Sequence, residues 1–533
     1  MSVIKLKPFF QRLKPSTVGL AYALVVLAFA WNCAQFYIPG KGFTYLIEFG
    51  DRSNATYLPE LKAVNHYEQR QSSGYDGQYY AQIAMDPHLS HPQLKEAVPD
   101  LAYRARRILF CWTAYGLAGG DPVSALHIYA IQNIVAWFLL ALLLLKWFPP
   151  NQWGNFFRWF SVLFTFGLTM SVRKALLDGP TLVIITLTIA LLEWDKPWLA
   201  ALCGGLSGLA KETSALIIGA FIPLGKNTKP WLKIVGQIII ILLPIGLWIL
   251  VLTHYTAEAG GVGYRNFTYP FLGYIHKLSE IKAFLTTAPD WIIRGLFCIF
   301  ISLSVQALFF FTRIRVNEAW WRLGVSYALL MLVLGDAVWE GYPGASARVL
   351  LPMTLAFNIL VPRGKKWWAI LVLGNLSVFV TPENLKPPGR ESVIVEGPSN
   401  LRMVESTGQM VDAQFDSQWY DPEKSLLEYW RWAKASANIM LVNPQTFTIH
   451  ADISFRLRAN DKRVLTVTSG DQVLWKHTLN PYESQDVILK DVLLNPGTTT
   501  WHFETTSEAS PDYPSSSRVV SYSVRNLRIK IIK

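Results

Sequence analysis

Asp76 stands in the segment GYDGQYYAQIA, residues 74–84, where one carboxylate is set among glycines, Gln78 and the tyrosines Tyr75, Tyr79 and Tyr80. The segment follows a first apolar span and precedes the next. A carboxylate beside a membrane, surrounded by flat aromatic surface and hydrogen-bonding groups, could take the proton from a sugar hydroxyl as a general base. Tyr75, Gln78 and Tyr79 are the neighbours that could hold the substrate for it.

Other charges fall at the ends of short apolar blocks. Arg173, Lys174 and Asp178 follow one block, Lys211 and Glu212 separate two others, and Asp336, Glu340 and Arg348 mark a further break. Several of these blocks have only about 12–14 uncharged residues, whereas a helix perpendicular to a bilayer needs about 20. Charged groups therefore enter the membrane zone. Such groups usually face a protein-lined or watery cavity. The alternative is ordinary helix ends whose long cations reach back to the interface. Acids and bases converging from several short spans favour the cavity, with Asp178 and Glu340 as substrate-facing acids. Arg104, Arg106 and Arg107, in AYRARRILF at 102–110, precede an apolar stretch, 108–118, of a length suited to an interfacial helix. Guanidinium forks grip phosphate with two parallel hydrogen bonds; general attraction to anionic lipid is the simpler reading. His66, His88 and His91 lack the spacing of a metal site.

The elements that must position these groups are mostly membrane spans. The chain has 533 residues, 51% hydrophobic and only 16% charged. An uncharged run from Val18 to Ile38 is long enough to cross a bilayer and lacks a small-residue cleavage site, so it reads as an anchor. Further uncharged blocks lie at 124–145, 159–172, 179–192, 197–210, 214–225, 234–257, 295–312, 323–335, 349–362 and 367–382. Together they predict an α-helical polytopic membrane protein with about 11 transmembrane helices. The net charge of +12 does not imply nucleic acid. Much of it gathers in short connections: Lys5, Lys7, Arg12 and Lys14; Lys226, Lys229 and Lys233; Arg313, Arg315 and Arg322; Arg363, Lys365 and Lys366. That bias places the N-terminus in the cytoplasm. An odd number of crossings then places residues 383–533 outside, together with a large first loop, 40–123. Cys33, Cys111, Cys203 and Cys298 lie in or beside apolar segments, so no disulfide braces the C-terminal region.

Residues 1–382 thus form the transmembrane part, and 383–533, opened by the turn PENLKPPGR, a separate polar region. There the period changes to two. Phe447, Ile449, Ala451, Ile453, Phe455 and Leu457 alternate with polar neighbours, which predicts a half-buried strand. Shorter strands follow around 463–468, 472–479, 486–494, 499–505 and 518–531, predicting a β-sandwich of jelly-roll type. Trp419, Tyr420, Tyr429, Trp430 and Trp432 precede them. Core packing or contact with the membrane face accounts for this cluster better than stacking on sugars.

With these motifs in view, the chain resembles the GT-C superfamily of membrane glycosyltransferases. YDGQYYAQIA is similar to a segment of the GPI mannosyltransferase II family and its bacterial relatives, with Tyr75 in place of a Trp. YRARRILF, LDGP at 177–180, AKET at 210–213 and SARVLLP at 346–352 resemble later motifs of those relatives. The likeness covers roughly residues 17–382. It implies a sugar donor on a polyprenyl phosphate, a glycan, lipid or protein acceptor, membrane lipid as the surroundings, and inversion at the anomeric carbon. The setting it implies is a bacterial inner membrane with the reaction on the extracytoplasmic side. By the same resemblance Asp76 matches the catalytic acid, and Arg104, Arg106, Arg107, Lys211 and Arg348 are candidates for the lipid phosphate. Asp51 is a candidate second acid, although it lies far from Asp76 in sequence. No cofactor is fixed, and a divalent metal, Mg or Mn, stays open because the family has metal-using and metal-free branches. The competing readings are a transporter or flippase of lipid-linked glycan and a non-catalytic glycan-assembly protein.

Overall fold

A computed structural model describes residues 17–69, 72–223, 231–255, 264–285, 290–339, 345–389, 392–397, 401–405, 407–425, 428–512 and 518–532. Glu340, Lys226, Lys229 and the basic residues before Thr17 lie outside the described residues. The chain divides into two units, Met1–Pro387 and Pro388–Lys533.

The first unit is helical. Among the described residues four helices are long and apolar enough to cross a membrane: Thr17–Ala34, Pro122–Lys146, Trp231–Thr253 and Arg294–Thr312. They make this an integral membrane protein. The other apolar blocks form shorter helices, among them Pro197–Ala210, Glu212–Phe221, Ala319–Val333 and Leu351–Leu360. Length therefore does not yield the expected 11 crossings.

Polar side chains gather at two of the breaks between short helices. The block 159–172 breaks between Trp153–Leu163 and Phe166–Arg173. At that break Thr381 donates to the Phe164 carbonyl, Thr165 and Ser377 hydroxyls meet at 3.1 Å, and Asn384 donates to the Phe166 carbonyl at 3.3 Å. Backbone groups freed within an apolar interior must find such partners. Asn358 and Asn375 exchange side-chain amide hydrogen bonds at 2.9 and 3.0 Å, fixing the far end of Leu351–Leu360.

Residues 40–123 are not an open loop. They fold on a small core of Phe49, Tyr57, Leu61, Ile83, Leu94 and Ile108. A two-stranded parallel pair, Phe49–Gly50 with Glu68–Gln69, opens this region. The helix Gly77–Met85 follows, then Leu101–Ala105 and Leu109–Leu117.

The second unit is two antiparallel sheets on one core. One sheet runs in the order Gln472–Leu479, Arg463–Ser469, Gly497–Thr505, Ala437–Asn443, Asp412–Phe415. The other runs Ser484–Leu494, Ile449–Ala459, Tyr522–Ile531, Ser392–Glu396, Leu401–Glu405, with Tyr429–Trp432 also paired to Tyr522–Ile531. Leu465, Trp501 and Phe503 from the first meet Ile453, Phe455 and Val524 from the second in the same core. Ile449–Ala459 alternates buried and half-buried along its whole length. Phe447 precedes that strand and is exposed, contrary to the alternation read from the sequence. Trp419 is buried, with its ring against Phe415, Phe503 and Tyr522, as a core residue would be.

Candidate active site

Asp76 is the residue immediately before the helix Gly77–Met85, and its side chain is 44% exposed. Gly77 explains how it comes to stand there. A Cβ on Gly77 would fall 2.2 Å from the carbonyl oxygen of Lys174 and 2.9 Å from that of Ile47. Only glycine lets the helix start against those two backbones. Gln78 is fully buried. Its Oε1 accepts from the Tyr57 hydroxyl at 2.7 Å and the Gly50 amide at 3.3 Å, and its Nε2 donates to the Ser73 carbonyl at 2.8 Å. Its visible work is to tie the Gly50 turn to the helix, rather than to face a substrate.

Two arginines overlook this helix. Arg104 Nη2 lies 3.5 Å from Asp76 Oδ1, and its guanidinium stacks over the Tyr79 ring with the carbon 4.3 Å from the centroid. Arg107 donates to Glu212 Oε2 at 2.8 Å, to the Tyr80 hydroxyl at 2.9 Å and to the Tyr103 hydroxyl at 2.8 Å. Burial alone would lower the Arg107 pKa. The Glu212 carboxylate outweighs burial and holds it well above the ordinary arginine value, so this cation is permanent. Arg106, at the C-terminal end of Leu101–Ala105, is half-buried.

A second cluster is built from the ends of three short helices. Asp178 opens Asp178–Glu193, Lys211 ends Pro197–Ala210, and Arg348 lies in Ser346–Val349. Asp178 is 5% exposed and takes both cations. Lys211 bonds Oδ1, and Arg348 Nη1 lies 3.0 Å from Oδ2. Arg348 Nη2 also donates to the Tyr75 hydroxyl at 3.2 Å, while its buried Nε has no partner. Gly167 permits this position, since a Cβ there would fall 2.2 Å from the Ala347 carbonyl oxygen. Lys174 also lies over the Tyr75 ring, 4.0 Å from its centroid, and pairs with Glu48 at 2.7 Å. An open cleft of about 220 Å³ adjoins the cluster, lined by Asp178, Thr181, Lys211, Thr213, Tyr327 and Arg348 among others.

Tyr75 thus joins the two groups. Its hydroxyl meets Arg348 and its backbone continues into Asp76, whose charge acts on Arg348. Asp76, Tyr75, Tyr79, Arg104, Arg107, Asp178, Lys211 and Arg348 form one neighbourhood. Asp51 accepts from the Ser72 amide at 3.2 Å in the turn after Gly50. Asp336 pairs with His276 at 3.0 Å. Glu48 and Tyr103 were not singled out from the sequence. Glu48 had a signal, an acid closing the apolar run FTYLI; Tyr103 had none beyond its place in the arginine segment.

Among the described residues the carboxylates near Asp76 and Asp178 do not fit a divalent cation. Asp76 has a guanidinium beside it where a second acid would be needed, and Asp178 is saturated by two cations. Among the described residues no group of three or more His, Cys, Asp or Glu side chains could hold a metal ion.

No family model matches the sequence, and no curated protein matches it. Among solved structures, the chain is similar to ArnT from Cupriavidus metallidurans in the apo state, with a TM-score of 0.39, 11% identity and coverage of 67% of this chain and 63% of that one. It is similar to the arabinosyltransferase EmbB from Mycobacterium smegmatis, with a TM-score of 0.32, 11% identity and coverage of 98% and 66%. It is also similar to the Podospora anserina GH26-CBM35 beta-(1,4)-mannanase, with a TM-score of 0.16, 13% identity and coverage of 27% and 28%. The chain spans less than two thirds of the length of each. Alignments this loose leave the function to be argued from the site itself.

Proposed function

We propose that this protein is an integral membrane glycosyltransferase of GT-C type. It moves a sugar from a polyprenyl-phosphate donor to a glycan, lipid or protein acceptor on the extracytoplasmic side. The observation that carries this reading is the pairing of a half-exposed carboxylate, Asp76, with a largely buried group of cations, Arg107, Lys211 and Arg348, of which Arg348 is joined to it through Tyr75.

The chemistry needs a deprotonated acceptor and a stabilised leaving group. Asp76 takes the proton from the acceptor hydroxyl as the oxygen attacks the anomeric carbon. The bond from that carbon to the phosphate oxygen breaks, and the configuration inverts. The departing polyprenyl phosphate gains negative charge, which Arg348, Lys211 and Arg107 offset from fixed positions. Arg348 Nε, buried without a partner, is a donor left for that phosphate. Tyr75 and Tyr79 place the sugar beside Asp76. No step runs through a metal.

The test is transfer of a labelled hexose from polyprenyl phosphate in membranes containing wild type or Asp76→Asn at equal levels. We expect a loss of about a hundredfold or more. Transfer at the wild-type rate rejects Asp76 as the base, and flipping of the labelled lipid with no glycosidic product rejects the enzyme.

A further inference from the structure

A second cleft lies at the other end of the short helices. Asp178–Glu193 has 16 residues and so carries its far end about 24 Å from Asp178. Leu351–Leu360 likewise begins beside Arg348 and ends beside Asn358 and Pro362. At that end an open cleft of about 350 Å³ is lined by Gln152, Asn155, Arg158, Arg363, Trp367 and Trp368 among others. Arg158, on Trp153–Leu163, is only 4% exposed. It donates to the Asn358 carbonyl at 2.7 Å and the Pro362 carbonyl at 3.1 Å, and Arg363 donates to the Trp147 carbonyl at 3.1 Å.

Among the described residues neither guanidinium has a carboxylate partner, and no Asp or Glu lines the cleft. The contrast with the first cluster is direct, because there Asp178 and Glu212 balance the cations. A buried cation without a counter-charge is costly, and here a second cation stands close enough to repel it. Carbonyl dipoles alone solvate it. The missing partner is an anion. Asn155, also in the lining, has a buried Oδ1 that accepts no hydrogen bond, which suits an anion carrying a hydroxyl. Exposed Trp153, Phe157 and Trp368 mark this end as an interfacial belt, with the Phe157 and Trp368 rings 5.5 Å apart.

We propose that Arg158 and Arg363 bind a phosphate group in this cleft, at the opposite end of the helices from Asp76. The inference does not rest on the transfer reaction. The phosphate belongs to an anionic lipid headgroup or is free in solution, and the two sources are separable by experiment. The full chain is purified in neutral detergent, stripped of lipid, and titrated with phosphatidylglycerol or with inorganic phosphate. Bound adducts are counted by native mass spectrometry and the melting temperature is followed.

We expect one saturable site that Arg363→Gln weakens about tenfold and Arg315→Gln leaves unchanged. Arg363 is exposed, so its variant keeps the fold; Arg158→Gln then tests the buried partner. Saturation by phosphatidylglycerol alone assigns a lipid headgroup, and saturation by inorganic phosphate assigns the free ion. Equal binding by wild type and Arg363→Gln, an equal loss in Arg315→Gln, or no saturable binding of either probe overturns the proposal.

Discussion

The guanidinium of Arg348 donates to the hydroxyl of Tyr75 at 3.2 Å, and Tyr75 is the residue directly before Asp76. The cation that is to face the leaving group is therefore one side chain and one peptide bond from the base. Tyr75→Phe removes this link while keeping the ring that Lys174 covers. One hydrogen bond to a charged group contributes about 1.5–3 kcal/mol. We expect transfer to fall by about tenfold, with unchanged membrane levels. A rate equal to wild type would mean that the hydroxyl does not align the two groups.

Among the described residues Asp178 is the one acid paired with both Lys211 and Arg348. Removing one member of a buried ion cluster leaves the others uncompensated, at a cost of about 3–5 kcal/mol. Asp178→Ala should lower the melting temperature in detergent and abolish transfer. Asp178→Asn keeps the shape without the charge, so it should also be destabilised, by a smaller amount. A melting temperature equal to wild type in both variants would show the cluster to be held by packing alone.

Gly77 makes a sharper test, because its neighbours are backbone and cannot move aside. Gly77→Ala sets a methyl 2.2 Å from the Lys174 carbonyl oxygen, so the start of the helix must shift and Asp76 with it. Gly116→Ala meets nothing within 4 Å and is the matched control. We expect a loss of transfer of at least tenfold for Gly77→Ala and none for Gly116→Ala. Small displacements of positioning elements have effects of this size. Equal rates in the two variants would detach the position of Asp76 from catalysis.

These residues show which parts of the molecule could be read in advance. Asp178, Lys211 and Arg348 were legible because each interrupts a short apolar block, and an ionisable group is rare in such a place. The strand Ile449–Ala459 was legible because one face is buried and the other half-exposed. Ala437–Asn443 has the same alternating burial but was missed. Met440 and Val442, on its less buried side, are apolar too, so the period of two vanishes from the sequence. The helix Gly77–Met85 was hidden for another reason. It is buried almost all round, so no polar stripe marks it, and its first residue is glycine. Residues 40–123 read as loop because their core is assembled from single apolar residues on short elements rather than from long periodic segments.

The second unit offers a pH test independent of the membrane part. Glu396 is 3% exposed on the strand Ser392–Glu396, and Arg431 Nε lies 3.2 Å from its Oε1. Burial raises its pKa above the ordinary 4.5, and the nearby Arg431 only partly offsets this. Folding therefore favours the protonated acid. The stabilisation from this group is fully present below about pH 4.5 and is lost as the pH rises through the raised folded-state value. Glu396→Gln cannot ionise and lacks this dependence. In scanning calorimetry of the full chain, the stability difference between Glu396→Gln and wild type should change across that window, shifting in favour of the variant as the pH rises. A difference that stays constant with pH would mean that Arg431 compensates the buried charge completely.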